Sequence, residues 1–145
     1  MALVYTVRNL TTNAAAPKTF ITIAALANQR IKIKGVLLGN SAATAAQGVE
    51  WEILRLSVNA TGAALTPNPV DPDSIASRFT SLSTITAEGT AGAVVVELGF
   101  DIVGTYMAWF PPGLEPEFVN SGIGAIRKTV GADTTNWAIT MWVEE

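Results

Sequence analysis

Arg30-Ile31-Lys32-Ile33-Lys34 and Val49-Glu50-Trp51-Glu52-Ile53 decide the fold. In both, charged and apolar residues alternate with a period of two. That is the spacing at which an extended chain turns successive side chains to opposite faces. The first stretch sets three cations against two isoleucines; the second sets two acids against Val49, Trp51 and Ile53. Each reads as a half-buried strand. If the two are antiparallel neighbours, Arg30, Lys32 and Lys34 face Glu50 and Glu52 in a cross-strand charge ladder on the outer surface. Each exposed pair contributes well under ~1 kcal/mol, so such a ladder would fix register more than stability.

The same pattern continues on either side. Leu3-Val4-Tyr5-Thr6-Val7-Arg8 places Leu3, Tyr5 and Val7 on one face, and strands are also expected over Lys18–Ile23, Phe79–Thr86, Ile102–Phe110, Ile123–Val130 and Trp137–Val143. Ala93–Phe100 is almost continuously apolar, as a central strand covered on both faces would be. Turn chemistry separates these runs, at Gly39-Asn40-Ser41, Asn59-Ala60-Thr61-Gly62, Glu88-Gly89-Thr90, Pro111-Pro112-Gly113 and Gly131-Ala132-Asp133. Thr66–Asp73 holds Pro67, Pro69 and Pro72 and is expected to be a surface loop, because proline removes ladder donors. The only helical candidates are short, Ser41–Gln47 and a start at Asp73-Ser74-Ile75-Ala76. Regularly spaced short strands in 145 residues predict one all-β domain, an antiparallel sandwich or barrel. Residues 1–17 form an N-terminal strand or arm with its linker, and 18–145 the sandwich. Ala2–Arg8, followed by a flexible Thr11–Ala16, can pack on its own sheet or cross to another subunit, its own sheet being slightly favoured.

Composition narrows the function. Cysteine and histidine are both absent. No disulfide framework, thiol nucleophile, zinc finger or Ser-His-Asp relay can be built, and the side chain that most often moves protons near neutral pH is missing. Net charge is −3, distributed as about +4 up to Val58 (six basic, two acidic) and −7 beyond it (three basic, ten acidic). That balance does not suit an electrostatic nucleic-acid binder. The Arg30-Lys32-Lys34 stripe also lacks interleaved aromatics. No uncharged run reaches the ~20 apolar residues of a membrane span.

The remaining chemical motifs are weak. Glu50 and Glu52 share a face at a spacing glycosidases use, about 6–7 Å, but nothing nearby predicts the apolar pocket that would raise one pKa. Asp71-Pro72-Asp73 begins like a calcium loop and then lacks its glycine and distal glutamate. Arg127-Lys128 reads as a solvated strand end. No catalytic, cofactor or metal residue is assigned, and no small-molecule substrate, membrane or nucleic acid is expected. The tryptophans say more. Trp51 and Trp137 fall on apolar faces. Trp142 falls on the polar side of the last strand and needs cover from a loop, a subunit or a partner. Trp109-Phe110-Pro111-Pro112-Gly113 brings two aromatics to a strand end beside a stiff loop. Leu3, Tyr5, Val7, Trp109, Phe110 and Trp142 are the candidate contacts to another subunit or to a partner.

Taken together, the Arg30–Ile33 and Val49–Arg55 strands, the Asn59–Gly62 turn, the Leu65–Asp73 and Trp109–Glu115 loops and the Met141-Trp142-Val143-Glu144-Glu145 ending give a chain that resembles small decoration, or cement, proteins of tailed bacteriophages. The resemblance implies a jelly-roll-like sandwich on the outer shell of the virion, made in the host cytoplasm. It binds major capsid protein where subunits meet, as a homo-oligomer, trimeric in preference to dimeric, with no enzymatic activity and no cofactor. The alternative is a sandwich module of a fibre or tail that binds carbohydrate or a receptor through Trp109 and Trp142.

Overall fold

The computed structural model describes residues 2–12, 17–40, 48–101, 103–130 and 136–145. Among them are twelve strands and no helix: β1 (Val4–Thr12), β2 (Lys18–Ala24), β3 (Arg30–Asn40), β4 (Gly48–Val58), β5 (Thr61–Leu65), β6 (Asn68–Pro69), β7 (Thr80–Ala87), β8 (Thr90–Asp101), β9 (Thr105–Trp109), β10 (Glu117–Val119), β11 (Ile123–Val130) and β12 (Asn136–Glu144). All pairings are antiparallel. One sheet runs β6-β1-β12-β3, with β9 and β10 both pairing onto β3; the other runs β5-β7-β2-β11-β4-β8. Leaving out β5, β6, β7 and β10, which add to the margins of the two sheets, the chain passes back and forth between the orders β1-β12-β3-β9 and β2-β11-β4-β8. This is the double Greek key of a jelly-roll sandwich.

The core lies between the sheets and follows from the period-two patterns. Tyr5 and Val7 of β1, Ile31, Ile33, Val36 and Leu38 of β3, Val49, Trp51 and Ile53 of β4, and Trp137, Ile139, Met141 and Val143 of β12 are all buried there. Trp51 is its centre, 5.0 Å from the Trp137 ring and 4.9 Å from Phe20. In β3 the inward set slips phase, from Ile31 and Ile33 to Val36 and Leu38. The pairing with β12 shifts at the same place, Ile33 opposite Val143 and Gly35 opposite Trp142. This is a β-bulge at Lys34–Gly35.

The structure differs from the sequence expectations in several places. Arg30, Lys32 and Lys34 do not face Glu50 and Glu52, because β3 and β4 belong to opposite sheets. The cations turn to a later segment. Arg30 and Lys32 pair with Glu117, and Lys34 pairs with Glu115 and Glu144. Glu52 pairs with Arg127 across β4 and β11. Ala93–Phe100 is not central. It lies in β8, the edge strand of its sheet, and most of its residues are exposed. Arg127-Lys128 is not a solvated end, because β11 is an interior strand and its alternation turns Lys128 wholly inward. The segment at Asp73 is a turn, with Asp71 Oδ1 accepting from Asp73 N and Asp71 O from Ser74 N. Thr66–Asp73 contains the two-residue β6, where Pro69 is tolerated on a sheet edge. The Ser41–Gln47 candidate, the turn at residues 131–133 and residues 13–16 of the expected linker lie outside the described residues.

The first strand belongs to the chain's own sandwich here. β1 pairs with β12 from Val4–Glu144 to Thr12–Asn136 and with β6 on its other side. Glu145 then ties that end together. It exchanges backbone hydrogen bonds with Leu3, and its carboxylate accepts from Tyr5 Oη, Gln29 Nε2 and Arg78 N. Burial, with the neighbouring Glu145 carboxylate, pushes the Tyr5 phenol above its ordinary pKa.

Candidate functional site

The outward residues of the β9-β3-β12-β1 sheet form the most distinctive surface. Pairing registers place Trp109, Gly35, Trp142, Thr6 and Asn68 in one row across five strands. The next row is Met107, Leu37, Thr140 and Arg8, and the third is Thr105, Gly39, Ala138 and Leu10. Trp109 is 56% exposed, Met107 62% and Leu10 74%. Arg8 is the one charged side chain in these three rows. The rest is indole, thioether, aliphatic and hydroxyl surface, with the Asn68 carboxamide at one end of the first row.

Gly35 makes the first row possible. It has no side chain to separate its neighbours, so the two indoles meet above it, with ring centroids 5.7 Å apart at 60°. A Cβ at Gly35 would lie 2.4 Å from Trp109 Cε3 and 3.0 Å from Ala108 O. The edge-to-face arrangement suits the aromatic quadrupole. The cover over Trp142 is thus supplied in part by Trp109 of the same chain, and together they form a half-exposed aromatic platform.

A small ion cluster borders the platform and holds its loop. Lys34 Nζ lies 2.6 Å from Glu115 Oε1 and 3.5 Å from Glu144 Oε2. The other oxygen of Glu115 accepts from Gly113 N at 2.6 Å, and Pro111 O accepts from Leu114 N. Gly113 takes φ 89°, a left-handed conformation that suits glycine. Phe110 N donates to Lys34 O. These contacts fix the segment that follows Trp109. The Lys34 hydrogen bond holds the Glu115 carboxyl at about 2, and the same hydrogen bond raises the Lys34 ammonium above its ordinary value.

Of the six expected contacts, Trp109 and Trp142 come together on the platform. Tyr5 and Val7 are fully buried and Phe110 nearly so; they fill this chain's own core. Leu3 is half-buried against that core. Sequence reasoning missed Gly35, Glu115 and Met107. The phase slip from Ile33 to Val36 was the available signal for the first.

Glu50 and Glu52 do not make an acid–base pair. Arg127 Nε lies 2.6 Å from Glu52 Oε1, and its Nη2 is also in contact with that oxygen, so Glu52 is neutralised in place. Glu50 is exposed.

No protein-family model matches the chain, and no curated protein matches it. Among solved structures, the chain is similar to one from infectious bursal disease virus, Gx strain, at 9% identity and a TM-score of 0.22. That match covers 99% of this chain and 42% of the viral one.

Proposed function

We propose that this chain is a viral structural protein, a decoration subunit that docks on the outer surface of a capsid and stabilises the shell. The observation that carries the reading is the Trp109–Trp142 platform with Met107, Leu37 and Leu10 beside it. Exposed aromatics on a rigid sheet, surrounded by hydroxyls and nearly free of charge, have the composition of an interface centre. The strands beneath hold the platform still, so little ordering entropy is lost on docking. In this reading the partner is the major capsid protein, the protein acts without catalysis and as a homo-oligomer, and the virion surface is where it resides.

The test is co-sedimentation of the purified protein with expanded shells assembled from the major capsid protein of the genome that encodes it. Saturable binding is expected, weakened at least tenfold by Trp109→Ala, whose side chain supports no core contact. Failure of the folded wild-type protein to bind the shells overturns the proposal. The exposed indole also keeps the fibre-module reading in play. Glycan-array binding that is lost in Trp109→Ala, with no shell binding, would establish that reading instead.

A further inference from the structure

The molecule's sheet edges are not treated alike. In the first sheet, β6 is two residues long and contains Pro69; β10 is three residues between Pro116 and two left-handed residues, Asn120 and Ser121; β9 is five residues and runs into Pro111-Pro112. In the second sheet, β5 is five residues. Short strands, prolines and abrupt ends are how native proteins blunt an edge. β8 has none of these. It is the longest strand, twelve residues, with neither proline nor lysine. Its first half is bulged against β4, but Val96–Asp101 pairs regularly with Gly48–Ile53 and has no strand on its other side among the described residues. Val94 and Val95, which lead into this stretch, are 44% and 37% exposed.

The open stretch has a charge signature. Glu97 stands opposite Glu52, Gly99 opposite Glu50 and Asp101 opposite Gly48. Arg127 is committed to Glu52, and neither Glu50 nor Glu97 meets a cation among the described residues. A cleft of about 270 Å³ lies at this place, lined by Glu50, Glu52, Glu97, Gly99 and Thr129. Gly99 helps to keep it open, since a Cβ there would touch nothing within 4 Å. A second copy of β8 would bring the same acids to the edge and be repelled. An incoming strand with a lysine or arginine would be drawn in.

We infer that the Val96–Asp101 edge of β8 takes an extended segment of another protein as an added antiparallel strand, with a basic side chain of that segment seated in the Glu50–Glu97 cleft. The backbone ladder supplies affinity and the cleft supplies selectivity. The inference holds whatever the tryptophan platform binds.

The probe is a fluorescein-labelled peptide, Ser-Val-Lys-Val-Thr-Val-Ser-amide, compared with the same peptide carrying Glu for Lys. Anisotropy titrations use the full chain at low and physiological salt, with hydrogen exchange followed by mass spectrometry. The Lys peptide is expected to bind at least about tenfold more tightly than the Glu peptide, the difference narrowing with salt, and to protect amides of residues 96–101. Glu97→Lys should reverse the preference. Gly99→Val should weaken Lys-peptide binding about tenfold while leaving the melting temperature unchanged or higher, since a Cβ there meets nothing within 4 Å. Lack of Lys-peptide binding, equal affinity for both peptides, or protection elsewhere overturns the inference. So does a free chain already dimeric with 96–101 protected, which would make a second copy the occupant.

Discussion

Gly35→Ala should destabilise the protein, and Trp109 should be the reason. The new methyl would sit 2.4 Å from Trp109 Cε3 and 3.0 Å from the Ala108 carbonyl oxygen. The first contact is impossible, so the indole must swing out. That forfeits the edge-to-face pairing with Trp142, about 0.5–1.5 kcal/mol. The tighter approach to Ala108 O adds part of the ~1–3 kcal/mol typical of overpacking. Against this stands about 0.4–1 kcal/mol gained by restricting the unfolded chain. The net expectation is a loss of about 1–2 kcal/mol, or roughly 4 °C in Tm per kcal/mol for a domain of this size. Urea unfolding followed by far-ultraviolet circular dichroism measures it without relying on the tryptophans being changed. The decisive comparison is the double-mutant cycle. In a Trp109→Ala background the ring is gone, and Gly35→Ala should fall within about 0.5 kcal/mol of neutral, giving a coupling energy of about 1 kcal/mol or more. Gly48→Ala is the control, since a Cβ there meets nothing within 4 Å, and it should be neutral or slightly stabilising. If Gly35→Ala costs the same with and without Trp109, the ring is not what Gly35 accommodates and the account of the platform fails.

Glu115→Gln should flatten the acid limb of the stability curve. The Glu115 pKa is depressed in the fold, so its contribution is complete above the ordinary carboxylate value and is lost as pH falls from there towards about 2; urea midpoints between pH 5 and 2 should therefore decline less in the variant than in the wild type. Arg127→Met leaves the buried Glu52 carboxylate without its partner and should cost about 1–3 kcal/mol, whereas Arg127→Met with Glu52→Leu should recover most of that loss. Gly124→Ala places a methyl 2.5 Å from Phe118 Cζ in the core and should cost about 1–3 kcal/mol, with Phe118→Leu in the same chain relieving part of it. Thermal melts of the single and double variants test the last two.

The strand content was legible because period-two alternation is a local signal. Each of the nine expected strands overlaps an observed one, and Trp51 and Trp137 went to the core side that alternation assigned them. Partner choice was not legible, because it is decided by the path of the chain between sheets. Arg30-Lys32-Lys34 and Glu50-Glu52 look complementary on paper, yet a jelly roll sends β3 and β4 to different sheets. Glu115 and Glu117, some eighty residues later in sequence, take the cations instead. Ala93–Phe100 failed for a different reason. A nearly continuous apolar run suits a strand buried on both faces, but periodicity does not say whether that strand lies at the centre or at the edge of its sheet. Of the site itself, the aromatics were visible in sequence. Their meeting over Gly35 depends on register across three strands, which only the fold supplies.

The two surfaces singled out share one flank of the sandwich. β9 carries Trp109 at one edge of its sheet, and β8 is the edge of the other. Phe100 and Tyr106 join them across the gap as a parallel stack, 4.4 Å between centroids and 2° apart in plane. Facing sheets lie about 10 Å apart, so a strand added to β8 would run alongside β9, around the corner from the platform. On the opposite flank, β6 covers only Tyr5 and Thr6 of β1, and β5 is five residues long. The ion pairs at Lys34–Glu115–Glu144 and Arg127–Glu52 fix a loop and a register. One side is left apolar on the face and acidic at the edge, the composition that the proposed docking and the inferred strand addition would use.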